Sequence, residues 1–278
     1  MSQSRDAAYR ARVRELSNRV VAAQRPIRIL DAVRWEDPVR RAFLAAGGRE
    51  PPAVTREHYL ARPLGFDPAE ARRQFAALER EVVAELGSMN AAGRVLRRMC
   101  REYETVLAML EARGTREFAP LARQLYGATT DVFYAGGPTL FELAGLLDGV
   151  LRAIDVHCFE EDDVADIPTE RAVALLQERL DRVFSEPEGR VRVLESDGIV
   201  ADAAAGWDSI KLRKGVLFSE RDLRVLEVHE GWVHVGTSLN GRAQPVCSFL
   251  GKGAPSTTIT QEGLALLMEV LAFASHPA

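Results

Sequence analysis

From Ser4 to His157, apolar side chains return every three or four residues between charged ones, the period of helices that bury one stripe and leave the rest in water. The repeat predicts helices over 4–23 and 31–46, where Arg and Glu alternate with Ala, Val and Leu. Asp67-Pro68-Ala69-Glu70 places a side-chain acceptor at the N-cap, a proline where no N–H is needed and an acid in the first turn. A helix therefore begins there and is expected to run to about Leu86. Further helices are expected over 90–110 and 115–126, divided at Arg113-Gly114, over 139–157 after Gly136-Gly137-Pro138, and over 168–184.

After Val191 the period shortens to two. Val191-Arg192-Val193-Leu194 and Ile199-Val200-Ala201 flank Ser196-Asp197-Gly198, and an Asp-Gly pair between two such runs predicts a hairpin. Ile210 and Leu212 alternate with Lys211 and Arg213, as in a strand buried on one face. The helical period resumes after Ser219-Glu220-Arg221-Asp222, which caps the segment containing Val228-His229-Glu230-Gly231-Trp232-Val233-His234. It resumes again at Thr258-Ile259-Thr260-Gln261, which has the hydroxyl-to-Gln spacing of a capping box ahead of the apolar run 264–267. The expected fold is α+β and predominantly α-helical. A helical region covers 1–165, and a small antiparallel sheet packed on a pair of helices covers 166–278.

Composition narrows the function classes. With 47% hydrophobic and 27% charged residues, a chain of 278 residues can bury a sizeable core. The net charge of −4, with 36 basic and 40 acidic side chains interleaved along the helices, gives no basis for nucleic-acid binding. No run reaches the roughly 18 apolar residues of a membrane span, and the most apolar stretch, 264–274, is interrupted by Glu269. Met1 to Leu16 is charged throughout and lacks the apolar centre of a secretory signal, while Cys100, Cys158 and Cys247 are odd in number and far apart. Reduced thiols in a cytoplasmic protein are expected. His157-Cys158 lacks ligand spacing and is expected to be structural, the acidic run 160–163 to be a solvated loop, and His276 to have no role.

The chemistry concentrates after residue 228. Two of the five His, His229 and His234, fall in one helical segment with Glu230 beside the first. Two imidazoles and a carboxylate from a later helix are the donors that hold a catalytic zinc and leave a position for water, while an unligated Glu accepts that water's proton. In the HExxH helix the imidazoles are four residues apart and share a face. Here they are five apart, roughly 140° around an ideal helix at about 100° per residue, too far to share an ion. One residue absorbed as a π-bulge would return His234 to the face of His229, and Gly231 lies where the bulge would fall, its missing Cβ easing the distortion. A bulge is predicted between His229 and His234. Glu262, in the first turn of the last helix, is the candidate third ligand, although the helix dipole alone favours an acid there. Glu269, two turns on, is the fallback ligand or an acceptor for an imidazole N–H.

These residues carry a resemblance. His229-Glu230-Gly231-Trp232-Val233-His234, then Ser238-Leu239-Asn240-Gly241, then Thr260-Gln261-Glu262-Gly263-Leu264-Ala265 make the stretch 209–274 resemble the bacterial QEGLA-motif family, often labelled flavohaemoglobin expression-modulating proteins. That family is similar in turn to the eukaryotic tyrosine carboxypeptidases that remove the C-terminal tyrosine of tubulin. Dipeptidyl peptidases with HExxxH carry the same wider spacing. The resemblance implies a zincin-like helix pair with Zn2+ bound by His229, His234 and Glu262, Glu230 as catalytic base, and a peptide or protein C-terminus ending in Tyr or Phe as substrate.

A carboxypeptidase also needs a cation for the terminal carboxylate. Lys211 and Arg213 project from one face of a strand expected at the sheet edge, where an extended substrate could pair with it, and Arg242 and Lys252 compete for the same role. The chain ends sooner after Glu262 than the resemblance implies, and part of the pocket wall or specificity subsite is expected to be missing. The alternative expectation is a non-enzymatic regulatory or interaction protein with a structural or vestigial metal site. No pattern in the chain fixes an oligomeric state.

Overall fold

The structure, a computed structural model, describes residues 2–52, 54–153, 163–185, 189–199 and 201–275. His157-Cys158, residues 160–162 of the acidic run, Val200 and His276 lie outside them. The chain divides into two compact units, the first made of Met1–Gly127, Pro245–Phe249 and Ala254–Ser256, the second of Ala128–Gln244, Leu250–Gly253 and Thr257–Ala278.

The first unit contains helices α1 (Ser2–Gln24), α2 (Ile29–Val33), α3 (Asp37–Ala45), α4 (Arg56–Leu60), α5 (Pro68–Leu86), α6 (Ala91–Glu111) and α7 (Phe118–Tyr126). Helix α5 starts where the cap signal places it, with the Asp67 carboxylate accepting the Ala69 N–H at 2.9 Å. Phe75, Leu78 and Val82 of α5, at helical spacing, are buried with Leu96, Met99 and Val106 of α6 and with Leu16 and Val20 of α1. One expected helix, 31–46, is in fact two. Pro38 cannot donate to a preceding turn, so the chain is extended at Arg34 and Glu36 and restarts as α3 with the proline in its first turn. Cys100 and Cys247 are free thiols, and burial, helped by Glu79, pushes that of Cys100 up to about 12.

The second unit opens with α8 (Leu140–Arg152), held by a capping box between Thr139 and Glu142. It continues through β1 (Ile167–Pro168), α9 (Thr169–Val183), β2 (Arg192–Ser196), β3 (Ala203–Ala205), β4 (Ser209–Arg213), β5 (Leu217–Phe218) and α10 (Glu220–Leu226). A π-helical segment (Glu227–Val235), α11 (Gly236–Arg242) and α12 (Thr258–Leu271) complete it. Strands β1 and β5 pair antiparallel, while β4 lies between β2 and β3, parallel to the first and antiparallel to the second. The fold is α+β and predominantly helical, with a mixed sheet beside the antiparallel pair.

Two local expectations are corrected. No hairpin forms across Asp197-Gly198: Gly198 does not adopt the positive φ of a tight primed turn, and β2 pairs with β4 instead. The strand expected at the edge is the central one. Ile210 and Leu212 are fully buried against Leu176 and Leu180 of α9, and the strand with most to bury takes the place where both of its edges are bonded. The three alanines of β3 have little to bury and form the edge. Among the described residues, no helix is long and apolar enough to cross a membrane.

Candidate metal centre

Ser219 starts the metal-bearing run. Its hydroxyl accepts the Asp222 N–H at 3.0 Å and the Asp222 carboxylate accepts the Ser219 N–H at 2.8 Å, a capping box that opens α10. Helix α10 passes directly into the π-helical segment, and at its far end the Gly236 N–H bonds to the Gly231 carbonyl, five residues back. In such a helix residues five apart stand one turn above each other. The rings of His229 and His234 accordingly face each other, with centroids 4.8 Å apart and planes inclined at 66°. The predicted one-residue bulge is thus spread over nine residues.

Gly231 also matters through the space beside it. It does not take a positive φ; a Cβ there would lie 2.5 Å from Cδ2 of the fully buried Leu180, so the glycine lets the segment settle against α9. Gly241 acts similarly, since a Cβ on it would collide with the backbone of Leu250.

His229, His234 and Glu262 come together, each with a ligand atom within 4.8 Å of the others. Glu262 Oε2 is 3.6 Å from Nε2 of His229, and Oε1 is 3.7 Å from Nε2 of His234. Donors placed tetrahedrally around an ion at 2.0–2.2 Å are roughly 3.3–3.6 Å apart, so both carboxylate-to-imidazole distances are close to what a shared metal ion requires. The opposite ring nitrogens are already engaged. Nδ1 of His229 is 2.5 Å from Oε1 of Glu269, a buried carboxylate, and Nδ1 of His234 is 3.2 Å from Oε1 of Gln261. A carboxylate can only accept, so Glu269 favours a proton on Nδ1 of His229 and leaves Nε2 of that ring turned toward Glu262. Glu269 takes the role of acceptor for an imidazole N–H, on the far side of the ring from the ligand cluster. Both His are partly buried and Glu262 is exposed, so the cluster opens to solvent on the side of the carboxylate. No fourth His, Cys, Asp or Glu joins the group among the described residues.

Glu230 is placed by the sheet. Its Oε2 accepts the N–H of Ala205 in β3 at 2.9 Å. Because Ala205 directs this N–H away from β4, the outer edge of β3 faces the π-helical segment.

The family model for the microtubule-associated tyrosine carboxypeptidase matches residues 41–278, a span that includes every residue of the cluster. The chain belongs to that family. Neither the curated proteins nor the solved structures contain a match to it. Membership of the microtubule-associated tyrosine carboxypeptidase family supports a carboxypeptidase-like enzyme, and the His/His/Glu group is one that could hold a metal.

The four candidate cations fall on three parts of the second unit. Lys211 is exposed on β4, in register with Ala204 and Leu194. Arg213, two residues on, is half-buried and paired with Asp202. Arg242, at the end of α11, is exposed with its guanidinium 4.0 Å from the ring centre of Trp207. Lys252 is exposed in the turn before α12. Neither Trp207 nor Gln261 is marked as a site residue by the sequence pattern. Trp207 follows the strand that holds Glu230, and the capping box expected of Gln261 does not form, since α12 starts from Thr257 without a side-chain cap. The motif position of Gln261, beside Glu262, was the available signal.

Proposed function

We propose that the protein is a zinc-dependent metallocarboxypeptidase that removes a C-terminal aromatic residue, Tyr or Phe, from a peptide or protein. The observation carrying this reading is the set of three convergent donors with no fourth among the described residues, beside a glutamate fixed on the edge strand. Structural zinc sites are closed by four protein ligands, and catalytic ones keep three and leave a position open. Zinc bound by His229, His234 and Glu262 would supply Lewis acidity to a water and to the scissile carbonyl.

The remaining steps belong to the chain. Glu230, with one oxygen tied to Ala205, accepts the proton of the attacking water on the other and passes it to the leaving amine. The substrate backbone runs along β3, the edge strand beside Glu230, since β4 is bonded on both sides and cannot receive it. Of the four cations, Arg242 suits the terminal carboxylate best. Trp207 stacks on its guanidinium and lies two residues beyond the amide that holds Glu230, which links the cation to the same strand as the base. The aromatic preference rests on the family, whose name specifies a tyrosine carboxypeptidase.

Elemental analysis of the purified protein and incubation with peptides ending in Tyr, Phe or Ala test this reading. Zinc in the protein, with release of Tyr or Phe from free-acid peptides and none from C-terminal amides, is the expected result, and a chelator should abolish it. Absence of bound metal, or cleavage confined to internal bonds, would overturn it.

A further inference from the structure

We propose that Thr237 and Gln261 are positioning residues for His234, setting first the orientation of an amide and through it the tautomer of the ring, so that Nε2 is the nitrogen left for the metal. The purpose of this relay rests on the metallopeptidase reading; its existence rests on hydrogen-bond geometry alone.

Thr237 has one hydroxyl proton, and its nearest acceptor is the Val233 carbonyl at 2.6 Å, against 3.2 Å to the His234 carbonyl and 3.1 Å to Oε1 of Gln261. Back-bonding of this kind is ordinary for Thr in a helix. What it does to Gln261 is not. With its proton committed to Val233, the hydroxyl oxygen is left as an acceptor and takes the nearer end of the amide, Nε2 of Gln261 at 2.9 Å against 3.1 Å for Oε1, which favours this orientation of the amide. Oε1 then faces Nδ1 of His234 at 3.2 Å and, being only an acceptor, draws the ring proton to Nδ1. An amide turned the other way would present an N–H to Nδ1, favour the proton on Nε2, and block the nitrogen that faces Glu262.

The two imidazoles are thus held by different means. His229 is oriented by the buried carboxylate of Glu269, which can only accept, whereas the neutral amide at His234 needs Thr237 to settle which way it points. The start of α12 forgoes a side-chain cap while the Gln261 amide is turned to the ring.

The test compares the parent protein with Thr237→Val, Thr237→Ser, Gln261→Met and Gln261→Glu, reading zinc affinity by competition with a chromophoric chelator and the histidine tautomers by nitrogen-15 NMR of the metal-free protein. Thr237→Val and Gln261→Met should weaken zinc roughly 10- to 100-fold and move His234 toward the Nε2–H tautomer. Thr237→Ser and Gln261→Glu keep an acceptor facing Nδ1 and should stay close to the parent, which separates the relay from simple loss of packing. Unchanged affinity and tautomer in Thr237→Val and Gln261→Met would overturn the relay. A parent protein that takes up no zinc would instead overturn the metallopeptidase reading, and the tautomer in the metal-free protein would still decide the relay: Nδ1–H supports it, Nε2–H overturns it.

Discussion

At Glu230 a single proton-accepting oxygen can be removed without disturbing the hydrogen bond that positions the side chain. Glutamine keeps the length of glutamate and an oxygen for the Ala205 N–H, yet cannot take a proton from water. Glu230→Gln should retain zinc, measured by elemental analysis, while hydrolysis of a Tyr-terminated peptide falls roughly 10²- to 10⁴-fold. A variant with parental kcat/KM would remove Glu230 from the chemistry. The neighbouring Gly231 is set by packing. An alanine there gains about 1 kcal/mol of helix propensity, but its methyl meets Leu180, itself fully buried and close to Ile210, and overpacking costs about 1–3 kcal/mol. Gly231→Ala should therefore be destabilising in denaturant unfolding, and less so in a Leu180→Ala background, where the methyl has room. Strictly additive effects in that double-mutant cycle would show that the two side chains do not meet.

At the scale of elements, the run from α10 into the π-helical segment depends on its first turn. Ser219 is buried and its hydroxyl satisfies the Asp222 N–H, so Ser219→Ala should lower unfolding free energy by about 1 kcal/mol, with Ser219→Asp closer to the parent. An unchanged denaturant midpoint in the alanine variant would mean that the π-helical segment holds the run in place unaided. Caps of this kind are local, which is why Asp67 and Ser219 could both be read from a few residues of sequence. The His spacing was legible for a related reason, since two imidazoles five apart can share an ion only if the helix is widened. The extent of the widening was not, because it depends on Gly231 settling against α9, a contact between residues far apart in the chain. Strand neighbours were hidden likewise. Alternation of Ile210 and Leu212 identifies the buried face of β4, but nothing in that period says which strands will flank it, and the Asp197-Gly198 turn signal pointed to a pairing that loses to β4. Gln261 is ambiguous in the sequence because a capping box and a ring acceptor make the same local demand, a side-chain amide in the first turn of a helix.

At the scale of the whole molecule the question is whether the metal would build the second unit or be received by it. The π-helical segment and β4 reach a buried apolar cluster that includes Leu176, Leu180, Ile210, Leu212, Leu223 and Val235 and contains none of the candidate metal donors. The donors themselves are oriented by protein groups, Glu269 behind His229 and Gln261 behind His234. A site assembled this way exists before an ion arrives, unlike a small zinc module whose folding free energy is the binding free energy. Stripping zinc with a chelator should consequently leave the far-UV circular dichroism of the protein nearly unchanged while lowering its thermal midpoint. Free zinc at a thousandfold over its Kd stabilises a folded state by about 4 kcal/mol, and roughly 2–4 °C accompanies each kcal/mol in domains of 150–250 residues, so a fall on the order of 10 °C is expected. Returning zinc should restore both the midpoint and the peptidase activity. Loss of most helical signal on chelation would place the metal among the structural supports of the fold, and the open three-donor geometry would then need another explanation than catalysis.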